Sequence, residues 1–219
     1  MKNTEQGRSM VEMLGVLAII AVLSLGALAG FNKAMAKHKL NKLAEEINYM
    51  LQTAITHNDD LKTASFDMIN ELKALGAFNW NISTSLGDIG VLNNQYVHFQ
   101  DSLHNDLWFE NYHELNNGGY AFSVALNLSE NITEICYNYI NVFRNFATEV
   151  DGIYVTKKSE GKSLRNAFAG RICASGRCLA TISNSDIVDM CATHCADAER
   201  CTLYVLWDYP AATAKALFN

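Results

Sequence analysis

Between Met13 and Phe31 the chain carries only apolar or small side chains apart from Ser24. At about 1.5 Å per residue, a helix of that length covers most of a ~30 Å hydrocarbon core, so the run is expected to span a membrane. The pattern then changes. Met35, Ala36, Leu40, Leu43, Ala44, Ile47, Met50, Leu51 and Ala54 recur at helical spacings, with Lys37, Lys39, Lys42, Glu45 and Glu46 between them. Together the two patterns predict one helix from Ser9 to Thr56, on the order of 70 Å long. Its first half is greasy all round and its second half is amphipathic. Gly26 and Gly30 are its weak points.

Further along, Ser65–Leu75 fits a short helix ended by Gly76. The stretch from Asn79 to Asn117 is rich in Asn, Asp, His and aromatics without a clear period. It is expected to be a surface loop region with short pieces of strand, such as Gln95–Phe99. Asn117-Gly118-Gly119 is a turn, and Tyr120–Leu126 (YAFSVAL) alternates large with small residues as a half-buried strand does. Ser129 or Asn131 can cap a helix whose stripe is Ile132, Ile135, Cys136, Tyr139, Ile140, Phe143 and Phe146. Asp151-Gly152 turns the chain into a strand over Ile153–Lys157, and Ser159-Glu160-Gly161 turns it back into an antiparallel neighbour. Ser185 is expected to cap a helix over Asp186–His194. Cys201–Tyr209 reads as the last strand, ended by Pro210, and PAATAKALFN as a loose tail or short final helix. The expected fold class is α+β, with a long N-terminal helix packed on a small antiparallel sheet and a disulfide-rich C-terminal region.

At the head of the apolar run stands Glu12, an ionisable group whose burial in a bilayer costs roughly 2.5 to 3.5 kcal/mol on insertion scales. Such a residue implies a specific partner. The small residue that could mark a processing cut, Gly7, precedes the apolar run instead of following it, unlike a secretory signal. Gly7, then Glu12 five residues on, then about twenty apolar residues resembles the N-terminal signal of type IV pilins and type II secretion pseudopilins. The resemblance implies cutting after Gly7 by a prepilin peptidase, so that Arg8 becomes the first residue of the mature chain. It also implies that Glu12 neutralises the terminal amine of Arg8 on a neighbouring subunit, in a homo-oligomeric helical filament built at an inner-membrane assembly platform. Arg8 stands where the family usually has Phe, Met or Leu, and the family's frequent helix-kinking proline is absent, Pro210 being the chain's one proline. In the head, LNLSENITEICYNYI is similar to the segment of type IVb pilins where a helix after a central strand carries the first cysteine of a disulfide. Residues 1–7 are then a leader, 8–31 a transmembrane and filament-core helix, 32–56 its amphipathic continuation, and 57–219 the head.

The chain has 219 residues, of which roughly 180 lie beyond the span, enough for one head domain with a core. Its net charge of -6 is dispersed through an Asn-rich head, leaving no basic face for nucleic acid. Six cysteines, Cys136, Cys173, Cys178, Cys191, Cys195 and Cys201, all follow the span, an even number that favours disulfides in an oxidising compartment. Their connectivity stays open; pairing of Cys136 with Cys201 would close a loop of about 66 residues. The competing reading is a zinc site using Cys173, Cys178, Cys191, Cys195 and His194, whose spacings lack tight two-residue knuckles. A second metal reading places His98, His104 and His113 among Asp101, Asp106, Glu110 and Glu114, with solvated loop residues as the alternative. No nucleophile elbow, phosphate-cradling loop or triad context is present in the sequence, and neither an enzyme nor a cofactor is expected.

Topology carries a conflict. Lys33, Lys37, Lys39 and Lys42 follow the span while Lys2 and Arg8 precede it, which by charge alone would hold the head in the cytoplasm. The cysteine load and the position of Gly7 argue for a head on the far side of a bacterial inner membrane, and for a periplasmic or extracellular filament after assembly. Two other assignments stay open: a pseudopilin of a type II secretion system, and a membrane-anchored extracytoplasmic binding protein.

Overall fold

The computed structural model describes residues 5–62, 68–77, 90–92, 96–101, 103–112, 118–128, 131–159, 162–173 and 176–218, with the side chains of 5–9, 29, 90–92, 96–97 and 162–164 outside the description. It is α+β. Helix α1 (Glu5–Thr56) is followed by α2 (Ile69–Ala74), strands β1 (Gly90–Leu92), β2 (Tyr96–Gln100), β3 (Asp106–Asn111) and β4 (Tyr120–Leu126), then α3 (Ile132–Arg144). Strands β5 (Gly152–Ser159) and β6 (Lys162–Ala169), a 3-10 turn at Leu179–Thr181, α4 (Asn184–Cys195), β7 (Arg200–Trp207) and α5 (Ala211–Phe218) complete the elements of the described residues. The chain divides into two compact units, residues 1–41 and 42–219.

In the larger unit the strands form one sheet in the order β1-β2-β3-β4-β7-β5-β6, every neighbouring pair antiparallel. Six strands make the body and the three-residue β1 extends one edge. Register fixes a row of core residues across five strands: Phe109, Phe122, Val205, Ile153 and Phe168. Phe109 and Phe122 lie 4.7 Å apart between ring centroids, and Phe143 of α3 meets Phe122 edge-on. The amphipathic end of α1 contributes Leu43, Ile47, Met50, Leu51 and Ala54 to the same apolar cluster, all buried at the spacing its pattern requires.

Strand β4 is buried at all seven positions, where alternation had suggested a half-buried strand. The reason is its central place between β3 and β7 and a second layer on the other face. There α5 packs Ala214 against Ala121, Leu206 and Tyr209. Small residues face that layer because a helix and aromatic rings come close. A Cβ on Gly119 would lie 2.2 Å from the Tyr209 ring, and one on Gly152 would lie 2.7 Å from Phe218.

Several boundaries differ from the sequence expectation for local reasons. Helix α1 begins at Glu5, inside the expected leader, and runs unbroken through Gly26 and Gly30. Helix α2 starts only at Ile69; residues 63–67 lie outside the description. Its end is as expected: Gly76 takes φ +80, its N–H donates to Lys73 O, and Ala77 N–H donates to Leu72 O, the paired bonds that close a helix on a glycine. Among the short pieces of strand expected in Asn79–Asn117, β3 was not located, because in DLWFEN the apolar run is only Leu107–Phe109, flanked by polar Asp106, Glu110 and Asn111. Asn131 holds the N-cap position of α3 without a side-chain bond, and Ser129 lies outside the description. Helix α4 is capped by Ser183, not Ser185: Ser183 Oγ accepts from Asp186 N–H at 3.1 Å and the Asp186 carboxylate reaches back to Ser183 N–H. Strand β7 stops at Trp207, before Pro210, since Asp208 adopts φ +59, and the terminal segment forms α5.

Candidate functional site

The sequence nominates the first turns of α1, and the backbone there is helical from Glu5 onward. Gly7 and Arg8 therefore lie on the helix, though their side chains are outside the description. Glu12 is exposed one helical turn beyond Arg8, roughly 6 Å along the axis. Around and after it, large apolar side chains stand open to solvent: Met10 is 72 % exposed, Leu17 57 % and Phe31 61 %. Cβ atoms added at Gly15, Gly26 or Gly30 would meet nothing within 4 Å. This is one helix long and apolar enough to cross a membrane, with no part of its most apolar window buried against the protein itself. An apolar surface of that size is stable in water only when lipid or other protein covers it. Lys33, Lys37, Lys39 and Lys42 follow it, all exposed.

The cysteines of the head are consumed in three disulfides, Cys136–Cys191, Cys173–Cys178 and Cys195–Cys201. No thiolate is therefore left for the zinc reading, and Cys136 pairs with Cys191 instead of the Cys201 considered from sequence. Two bridges converge on α4, whose Cys191 and Cys195 sit one turn apart and tie it to α3 and to the start of β7. Cys173–Cys178 closes the short CASGRC turn. Beside the second bridge, His194 is held below the ordinary histidine value, first by burial, while one ring nitrogen sits 3.1 Å from Met190 O.

The acidic and histidine residues between β2 and β3 serve structure. Asp101 accepts from the backbone N–H of Leu103 and Asn105 at 2.7 and 2.9 Å, from Asn105 Nδ2 and from the Tyr139 hydroxyl. It thereby pins the β2–β3 turn to α3, and Tyr139 titrates well above its usual range because it is buried against that carboxylate. Glu110 accepts from Trp108 Nε1 and the Tyr112 hydroxyl. His98 Nε2 lies 3.5 Å from Asp106, and His104 turns away at φ +61. His113 and Glu114 lie outside the described residues, among which no three His, Cys, Asp or Glu side chains come together.

Sequence reasoning missed one ion pair, built on a buried carboxylate and an exposed arginine. Asp151, fully buried, takes Arg171 Nε at 2.7 Å and the Tyr209 N–H at 2.8 Å, and Arg171 also donates to Tyr209 O. It fastens the entry to β5, the cysteine turn and the chain leading into α5. Burial raises its carboxyl above the usual value despite those bonds. Only an acidic residue directly before a turn glycine, Asp151-Gly152, hinted at it. No protein-family model, curated protein or solved structure matches this chain, so its residues are read through their own chemistry.

Proposed function

We propose that this chain is the structural subunit of a type IV pilus-like filament. Residues 1–7 are a leader removed by a prepilin peptidase, 8–31 the membrane and filament-core segment, 32–56 its amphipathic continuation and 57–219 the head. The observation that carries the reading is Glu12: an exposed carboxylate in the first turns of a helix, directly before the run Met13–Phe31 that is apolar or small apart from Ser24 and whose large side chains are all more than half exposed. In hydrocarbon that charge is tolerable only when matched, and the free amine of Arg8 on an adjacent subunit, released by the cut after Gly7, supplies the match at the right depth. The pair acts as a register device between protomers. Glycine at position 7 serves the cut as well, since it weakens the helix by roughly 1 kcal/mol relative to alanine and eases the unwinding a peptidase needs.

The disulfide-stapled head suits a subunit exposed outside the cell, where nothing refolds it. Before assembly it waits on the far side of the inner membrane; afterwards it decorates a periplasmic or extracellular fibre. Replacing Glu12 by Ala tests the register role. Membrane insertion and head folding should be unchanged while sheared fibres fall at least roughly tenfold, the loss of one matched charge in low dielectric. Fibres at the normal level from that variant would refute it.

The four lysines after the span favour a second reading, an anchored head oriented by the positive-inside rule. An alkaline phosphatase fusion at the C-terminus separates the two: an active fusion supports the filament, an inactive one the cytoplasmic head.

A further inference from the structure

The face of the sheet turned away from the main core carries an unusual strip on β5, β6 and β7. Ile153, Val155, Leu203 and Val205 point into the core cluster, so by the two-residue period of a strand Tyr154, Thr156, Lys158, Arg200, Thr202 and Tyr204 point the other way. Register sets Tyr154 opposite Tyr204, Thr156 opposite Thr202, and Lys158 opposite Arg200. On the far side, Arg165 of β6 is the partner of Thr156. Three cations therefore stand on this face, Lys158 and Arg200 as one cross-strand pair and Arg165 one row along, beside Tyr154 and Phe218.

Like charges directly opposite on neighbouring strands destabilise a sheet, and Lys158 with Arg200 is such a pair. Among the described residues none of Lys158, Arg165 and Arg200 is ion-paired, in a chain whose net charge is -6. Glu110, on the same face, already accepts from Trp108 and Tyr112. The cations are instead held by aromatic rings: Arg165 lies 3.8 Å over Tyr154 and Arg200 5.9 Å over Trp108. That arrangement fixes both guanidiniums while leaving most of their N–H donors open. Among the described residues Arg165 makes a single side-chain hydrogen bond, donating to Leu217 O. Hydroxyls lie alongside, since Thr156 and Tyr204 stand half-buried on this face and Thr156 Oγ1 donates to Thr202 O at 3.4 Å.

The rings discriminate between polyanions. Tyr154 has Arg165 against one face and Tyr204 stacked 4.4 Å from the other, so its ring is closed to a nucleobase. What the strip offers is cations and hydroxyls presented edge-on, which suits a carboxylate on a hydroxyl-rich chain. We propose that this strip binds an acidic polysaccharide, one sugar carboxylate meeting Lys158 and Arg200, another along the chain meeting Arg165, and sugar hydroxyls lying over Thr156 and Tyr204 between them. The site belongs to the head alone and does not depend on filament assembly.

Fluorescein-labelled alginate hexasaccharide, titrated with the full chain in neutral detergent micelles and followed by anisotropy, tests it. Binding should weaken with salt, neutral dextran should not compete, and K158Q/R200Q should bind at least roughly tenfold more weakly. K33Q/K37Q/K39Q, which removes three of the four exposed lysines of α1, should bind within about twofold of wild type. The near-UV circular dichroism of each variant guards the comparison. If K158Q/R200Q loses its native signal, K158Q alone, at an exposed position, should still cost about threefold. The proposal is overturned if wild type does not bind alginate, if the folded K158Q/R200Q binds as wild type does, if the α1 variant carries the loss, or if single-stranded DNA of equal charge displaces alginate better than alginate itself.

Discussion

Two apolar stretches of this chain meet opposite fates. Tyr120–Leu126 is buried at every position, whereas the large side chains of Met10–Phe31 are all more than half exposed. Hydrophobicity alone does not separate them. The strand alternates large with small, so it can set Phe122 and Val124 into a layer of helices and Ala121 under α5 while its backbone bonds are completed by β3 and β7. The helix completes its own backbone bonds and presents apolar side chains in every direction, which no single face of one small head can cover. The first pattern asks for a protein interior; the second asks for a bilayer or for copies of itself.

Perturbing each stretch should therefore be felt in different assays. Phe122→Ala removes a ring in contact with Phe109 and Phe143, and should cost the head about 3 to 5 kcal/mol. Leu17→Ala, equally apolar but exposed, should change head stability by less than about 0.5 kcal/mol. Urea titration of both variants in micelles checks the contrast, and equal costs would break it.

The disulfides sharpen the comparison, since all lie in the head. Serine at Cys136 and Cys191, which are 55 residues apart, should cost about 4 kcal/mol on the chain-entropy account; serine at Cys195 and Cys201, 6 apart, about 2. Neither should alter membrane insertion. Denaturation midpoints for the two serine pairs would reveal a reversed order, which would mean that local strain or packing outweighs loop closure.

The smallest effect concerns acid. Burial lowers the pKa of His194 from its ordinary 6.5, so below that pH the unfolded chain takes up a proton that the folded head resists. The stability that neutral His194 lends is complete above about 6.5 and is lost as pH falls toward the lowered folded value. His194→Gln should flatten this part of the stability profile between pH 7.5 and 5.5, measured against wild type.

How much was legible in advance follows from the same contrast. Periodicity gave the length and C-terminal end of α1, the buried stripe of α3, β4 and the hairpin of β5 and β6, because each keeps one pattern over many positions. It did not locate β3, where Leu107–Phe109 are flanked by Asp106, Glu110 and Asn111, and the last two are buried with specific partners that satisfy them. Such partners lie far away in the chain: Asn111 donates to Leu61 O, 50 residues back. The cap of α4 was misplaced by two residues among three Ser and Asn candidates, since only Ser183 has an acidic residue three positions on. The roles proposed for Gly7 and Glu12 rest on their positions in the sequence. Asp151 with Arg171, and the cationic strip of β5 to β7, were not legible, because the sheet register that assembles them is a property of the whole fold.

The filament assignment stands on the Gly7–Glu12 pair having a freshly made amine as its counterpart. Its most direct test is the intact mass and first residues of the mature protein, purified from cells with a working prepilin peptidase. The expected chain starts at Arg8; one that still carries Met1 to Gly7 would contradict it.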